Sequence, residues 1–334
     1  MRILFIGDAW LGSNARSLAN GFRALGHNVV HVDTSSVNKP PRWTPDWFRL
    51  KATGSRNPAG IADLHSKIDE VRVSFRPEVL FCFKTIHLNQ ERLTNIQGVR
   101  SIHYSADDVS NPYNTTSNYL EYEREWHAVV TTKTHNLREL AGRGVSNPIF
   151  VPSAYDPYLH HPVARRYGET YDVGFLGNRR PDREELIRNM ADKFGERFAV
   201  GGPGWSNDRS LRRSQSTLFP SAYGEELSYF VASVRANLVL LNSDNRDSHT
   251  CRSYEVPAAG GLFVGERTAE HEELLADGTE GYMFSSEEEL HELVAAIQAD
   301  PKKATEVASR GYRRIVSGRN TYQDRAAEIL SRAL

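Results

Sequence analysis

The sequence predicts an α/β chain of two doubly wound domains, each built on a parallel sheet. Three observations carry that expectation. The 334 residues are too many for one ordinary core and suit two domains of common size. Short buried-strand patterns alternate with helical stretches, as parallel strands joined by right-handed crossovers require. The series then halts at a polar, proline-containing stretch, Asp156 to Tyr171, and starts again.

The opening unit is strand, turn, helix, strand: Ile3 to Ile6, a turn over Gly7 to Asn14, an amphipathic stretch to Leu25, and Asn28 to Val32. Val79 to Phe83, Arg100 to Tyr104, Ala128 to Thr132 and Ile149 to Pro152 continue the first half. The second half restarts with Tyr171 to Leu176, a turn at Gly177-Asn178, and a helix whose first turn receives Pro181. Later strands are expected at Phe198 to Gly201, Ala236 to Leu241 and Gly261 to Val264, with a helix from Cys251 to Ala259 between the last two. The expected division is 1–165, a first Rossmann-like domain; 166–315, a second; and 316–334, a terminal helix that can cross back to the first.

Composition narrows the function classes. Charged residues are 25%, hydrophobic residues 39% and the formal net charge is −1, which fits neither a disordered polymer nor a membrane-embedded chain. The balance also lacks the basic excess of a general nucleic-acid binder, so anion recognition has to be local. No apolar run reaches the roughly 18 residues that span a bilayer, and MRILFIGDAW enters a strand with no cleavage site, so a cytoplasmic protein is expected. Cys82 and Cys251 stand apart without metal-ligand spacing and are expected to be free thiols. Residues 39–57, KPPRWTPDWFRLKATGSRN, interleave Trp43, Trp47 and Phe48 with five cations. That pattern suits either a peripheral membrane contact, here at the inner membrane face, or a loop and short helix folded against their own domain; the second is the ordinary fate of tryptophan.

The most informative block runs from Asn237 to Gly265 as strand, loop, helix, small-residue turn, strand. Loops leaving the carboxyl ends of parallel strands line ligand crevices, and a helix starting after His249-Thr250 offers backbone N–H groups to a phosphate, with Arg252 as an added cation. Asp247 and Glu255 are separated by seven residues, about two helical turns, and can face one extended ligand. Gly177-Asn178-Arg179, with Arg183 beyond, follows the first strand of the second half; it reads either as a diphosphate-binding turn or as a plain strand-helix turn with solvated arginines. Gly201-Gly202 and the segment around Tyr223 either frame a nucleotide base or are simple turns.

An acidic residue, seven residues, and a Glu followed by a small-residue turn resembles the signature of retaining nucleotide-sugar glycosyltransferases of the GT-B fold, the glycosyl transferases group 1. The stretches RSYEVPAAGGLFV, YDVGFLGNRR, RPEVLFCFK, HYSADDVSNPYN and HAVVTTKTHNLRELAGRG look like a subgroup related to spore maturation glycosyltransferases. The resemblance implies two Rossmann-like domains facing across a cleft, with the donor held by the second. It implies that Asp247 contacts the transferred sugar, that amides from Ser248 through His249, Thr250 and Cys251 to Arg252 hold the diphosphate, and that Glu255 holds the ribose. Gly177, Asn178, Arg179, Arg183 and Tyr223 join the donor set. The usual first acidic residue is Glu, so Asp247 is a departure. A metal-independent, hexosyltransferase-like reaction with front-face attack is implied, together with a place in cell-envelope polysaccharide or glycan modification. No cofactor is expected; a UDP-, GDP- or dTDP-sugar is the co-substrate, and the acceptor is a glycan, a lipid-linked or a small molecule.

In the first half, Gly7, Gly12 and Ser13 form a glycine-containing loop without the Gly-x-Gly-x-x-Gly spacing of nicotinamide cofactor sites, and an acceptor contact is expected there. Lys84, His87, His103 and Asp107 follow other strands, which makes Lys84 and Asp107 acceptor candidates and His103, with Asp247, a catalytic candidate. Asp107-Asp108 lacks an Asp-x-Asp arrangement, and capping or structural hydrogen bonding serves equally for both. Two rival functions share this architecture: a nucleotide-sugar epimerase and a non-catalytic sugar-nucleotide-binding scaffold.

Overall fold

The computed structural model describes residues 1–166 and 170–334. The chain divides into two compact units, 1–152 together with 322–334, and 153–321. Each holds a six-stranded sheet.

In the first unit the strands are β1 (Arg2–Gly7), β2 (Asn28–Asp33), β3 (Val79–Phe83), β4 (Arg100–Ser105), β5 (Ala128–Thr131) and β6 (Pro148–Phe150). They lie in the order β2-β1-β3-β4-β5-β6, all parallel. Ile3, Leu4, Phe5 and Ile6 are fully buried, as expected of a strand covered on both faces. Strand order reverses at β1, so the loops leaving β1 and β3 flank the point where ligands enter such sheets.

The second unit holds β7 (Tyr171–Leu176), β8 (Phe198–Gly201), β9 (Thr217–Phe219), β10 (Val234–Val239), β11 (Phe263–Glu266) and β12 (Tyr282–Phe284). Their order is β12-β11-β10-β7-β8-β9, again all parallel. Order reverses between β7 and β10, the arrangement of a dinucleotide-binding sheet. Phe175, Phe198, Trp205, Leu238 and Val264 belong to the core on one face, and Phe230, Phe263 and Tyr254 to the core on the other.

Three differences from the sequence reading have local causes. The edge strands β9 and β12 are only three residues each, too short to show a period. The strand expected from Gly261 begins at Phe263, because the Gly261 N–H bonds back to the Val256 carbonyl at 3.0 Å and completes the end of the preceding helix. The strand expected over Ala236 to Leu241 ends at Val239, because the next carbonyls and amides are bound by side chains described below.

Helix Tyr322–Ala333 packs on helix Asn14–Ala24 in the first unit. A Cβ at Gly21 would meet the Tyr322 carbonyl oxygen at 2.5 Å, so this crossing needs glycine. Arg325 Nε donates to the Pro152 carbonyl at 3.0 Å and Arg332 to that of Phe150 at 2.7 Å, which ties the helix to the chain at and after β6. Residues 39–57 do contain a short helix, Pro45–Thr53, capped by Thr44, but none of its residues is buried. The segment is held to its own domain at its ends, where Pro40 is buried, Lys39 lies over the Trp10 ring and Arg56 donates to Asn38 Oδ1, while the helix between stands largely in solvent. Trp43 is 76% exposed and Phe48 51%, Trp47 is half-buried, and the three rings pack on one another.

Candidate functional site

Two loops leave the sheet of the second unit where its strand order reverses. After β7, Gly177 lies so close to the next loop that a Cβ on Gly202 would sit 2.2 Å from the Gly177 carbonyl oxygen; Gly202 has φ +123°. That carbonyl accepts from Trp205 Nε1 at 2.8 Å, and the Arg179 N–H bonds to the Pro203 carbonyl at 2.9 Å. The turn is thus fixed by its backbone. Arg179 pairs with Glu184 at 3.0 Å and Arg180 with Asp244.

Arg183 is buried and spans the two loops. Its Nη2 donates to the Leu241 carbonyl at 2.7 Å and to Asn242 Oδ1 at 2.6 Å, and the guanidinium lies over the Phe175 ring. Burial lowers its pKa from the ordinary arginine value. Arg183, expected to touch the donor, is engaged in bracing the loop after β10. Asp182 does the same from the helix side, accepting from the Ser243 N–H at 3.0 Å and hydroxyl at 2.7 Å.

In that loop Asp247 accepts from the Asn242 N–H at 3.2 Å and from Asn242 Nδ2 at 2.9 Å, which closes residues 242–247 into a ring. The Leu241 N–H donates to Glu266 Oε2 at 2.5 Å. Burial raises the Glu266 pKa above the usual carboxylate value, and its acceptor role partly offsets that.

The stretch leading into helix Arg252–Ala258 is held by two histidines. His249 is buried; its Nε2 accepts from the Ser153 N–H at 2.9 Å, so its Nδ1 carries the proton and donates to Glu270. His271 bonds through Nδ1 to the Glu266 carbonyl at 2.7 Å and through Nε2 to Ser253 Oγ at 2.8 Å. The Ser253 hydroxyl therefore donates to His271 and accepts from the Thr250 N–H at 3.0 Å. Burial pushes His271 down to about 4, which keeps it neutral. Arg252 donates through Nε to the Leu176 carbonyl at 3.2 Å and pairs with Glu255. Glu255 is buried, with His160 Nε2 3.7 Å from its Oε1.

Gly177, Asn178, Arg179, Asp247, His249, Thr250, Cys251, Arg252 and Glu255 thus all stand on the two loops and the short helix beside the β7–β10 reversal. Tyr223 does not share that position; it lies after the edge strand β9 and is 40% exposed. Sequence reading missed Asn242, Glu266 and His160. Glu266 ends a strand beside the block of interest, a signal that was available, whereas His160 sits in what reads as linker.

In the first unit, the loop after β1 is organised by Asp8, whose Oδ1 accepts from Thr34 Oγ1 at 2.7 Å and Asn38 Nδ2 at 2.8 Å. Gly12 has φ +90° and the Ser13 hydroxyl donates to the Asp8 carbonyl at 3.0 Å. Lys84, in the left-handed region at φ +54°, pairs with Asp107 at 2.5 Å. His103, the other catalytic expectation, lies wholly in the core. Its Nδ1 is 3.1 Å from the Tyr119 hydroxyl, its ring packs on Trp126, and burial pushes its pKa down to about 3. A side chain with no accessible surface reaches no substrate here, and His103 is corrected to a packing residue. Asp108, His135 and Glu139 have ligand atoms within 4.8 Å of one another. Asp108 Oδ1 accepts from the Ser110 N–H and Asn136 Nδ2, and Glu139 Oε2 from Ser110 Oγ and Asn136 Nδ2, so these carboxylates bind the β4 and β5 loops together.

Such a sheet pair is that of the GT-B glycosyltransferases. The chain is similar to a sucrose-phosphate synthase from Thermosynechococcus elongatus, with 13% identity, 99% of this chain and 98% of the other covered, and a TM-score of 0.67. It is similar to Anabaena HepE in complex with UDP-glucose, at 13% identity, 99% of both chains and 0.66. A glycosyltransferase from Rickettsia africae matches at 10% identity, 99% and 97% of the two chains, and 0.65. Residues 179–331 match the family described as glycosyl transferase-like. No curated protein sequence matches the chain.

Proposed function

We propose that this protein is a glycosyltransferase that takes a sugar from a nucleotide-diphosphate sugar, bound by the second unit, and delivers it to an acceptor hydroxyl bound by the first. The observation that carries this reading is the placement of Gly177–Arg179 and Asp247–Glu255 on the two loops beside the β7–β10 reversal, almost wholly inside the segment that matches the glycosyl transferase-like family. HepE, with a similar fold, has been captured with UDP-glucose, which supports a donor of that chemical class.

In this reading Glu255 holds the ribose, and Arg252, already beside it, turns toward the diphosphate. Backbone amides between Ser248 and Arg252 and the cation of Arg179 receive the charge that develops on the leaving group, with no metal needed. Asp247, pinned by Asn242, meets the transferred sugar. Gly12, Ser13, Lys84 and Asp107 are proposed on the acceptor side, and front-face attack would retain the anomeric configuration. The acceptor class and a role in cell-envelope glycan synthesis, in a subgroup near the spore maturation enzymes, rest on the sequence resemblance.

The test is thermal unfolding with a panel of UDP-, GDP-, dTDP- and CMP-sugars, repeated on Glu255→Ala. A donor at a hundred times its Kd stabilises the folded state by about 2.7 kcal/mol. Stabilisation by one nucleotide class that vanishes in Glu255→Ala is the expected result. Silence across the whole panel sinks the donor site. Stabilisation with neither hydrolysis nor transfer would point to a scaffold, and turnover of donor alone to an epimerase.

A further inference from the structure

Helix Pro45–Thr53 and Trp43 before it form a largely exposed surface. Trp43, Trp47 and Phe48 have ring centroids 4.9 to 6.1 Å apart, and Trp43 and Phe48 are largely in solvent. Trp43 holds φ +68°, a left-handed conformation that a bulky side chain rarely adopts, immediately before the capping Thr44. The strained backbone presents the indole outward. Around the rings in sequence stand Lys39, Arg42, Arg49, Lys51 and Arg56, against the single carboxylate Asp46, on a chain whose overall formal charge is −1. Arg42, Arg49 and Lys51 are exposed and form no ion pair among the described residues.

The surface is fastened to the loop after β1. Lys39 Nζ lies 4.2 Å from the Trp10 ring centroid, Asn38 bonds to Asp8, and Arg56 Nε donates to Asn38 Oδ1 at 2.9 Å. Leu11, in the same loop, is 62% exposed.

We propose that residues 39–57 dock this protein on an anionic lipid bilayer, lying in its interface rather than crossing it. Amphipathic rings settle at the headgroup level, and unpaired cations beside them meet the negative surface of an acidic leaflet. The charge argues against a second copy of the same patch as the occupant, since like cations would face each other. Through Lys39, Asn38 and Arg56, docking would bring the bilayer to the loop that carries Gly12 and Ser13.

The test uses the full chain and needs no nucleotide sugar, so it stands or falls apart from the donor site. Sedimentation with vesicles of phosphatidylcholine and phosphatidylglycerol is compared with phosphatidylcholine alone. Binding to the acidic vesicles, weakened by salt, is expected. Arg49→Glu with Lys51→Glu should weaken it by about thirtyfold or more, and Trp43→Ala by about tenfold. Each variant changes exposed side chains, and an unchanged unfolding midpoint verifies its fold. Absence of binding to acidic vesicles, or binding that both variants leave intact, overturns the proposal. So does a concentration-dependent dimer that Trp43→Ala dissolves.

Discussion

Asp247 shows how one side chain can be read two ways. Its carboxylate closes the 242–247 loop through Asn242, and in the proposed reaction it also meets the sugar. Asn at this position keeps an acceptor for the Asn242 bonds but removes the charge. Asp247→Asn should therefore retain donor stabilisation while the transfer rate falls about a hundredfold or more, within the range of losses for removing one transition-state partner. Donor-dependent unfolding and transfer kinetics on the same variant decide it. If donor stabilisation disappears as well, Asp247 serves the loop rather than the sugar.

At the scale of elements, the donor-side loops rest on a glycine contact with no slack. Gly202 has φ +123° and no room for a Cβ beside the Gly177 carbonyl. Gly202→Ala is expected to destabilise the second unit by about 3 kcal/mol or more and to shift the β7 turn, so that donor stabilisation weakens too; denaturant unfolding with and without donor measures both. The sequence made this element visible only as Gly-Gly beside a strand. Strands β3, β7 and β8 were legible to the residue because each is a short apolar run bounded by turn residues. Strands β9 and β12 were not, because edge strands of three residues carry no period. The donor loops were legible because their positions follow from strand order. What holds them was hidden: Arg183 bracing carbonyls 57 to 59 residues away, and His249 reaching Ser153 across 96, are products of tertiary folding that no spacing announces.

Each unit carries buried histidines, among them His103 in the first and His271 in the second. Burial pushes their pKa values down to about 3 and about 4, whereas an unfolded histidine titrates near 6.5. As pH falls below about 6.5 the unfolded chain takes up protons that the folded chain refuses, so stability drops from there down toward pH 4. Above about 6.5 both forms are neutral and the full contribution is present. Each histidine adds a slope of up to about 1.4 kcal/mol per pH unit inside that window. The two units should therefore both soften on mild acidification. His271→Gln is expected to lower stability at pH 7, because Ser253 and the Glu266 carbonyl lose their partner, yet to flatten the acid slope of the second unit while leaving that of the first. His103→Gln should do the reverse. Unfolding free energies between pH 7 and pH 4.5 test the pair, and an acid slope that neither variant changes would place the pH sensitivity in other histidines that burial depresses, such as His65, His87 and His160, or in the paired carboxylates.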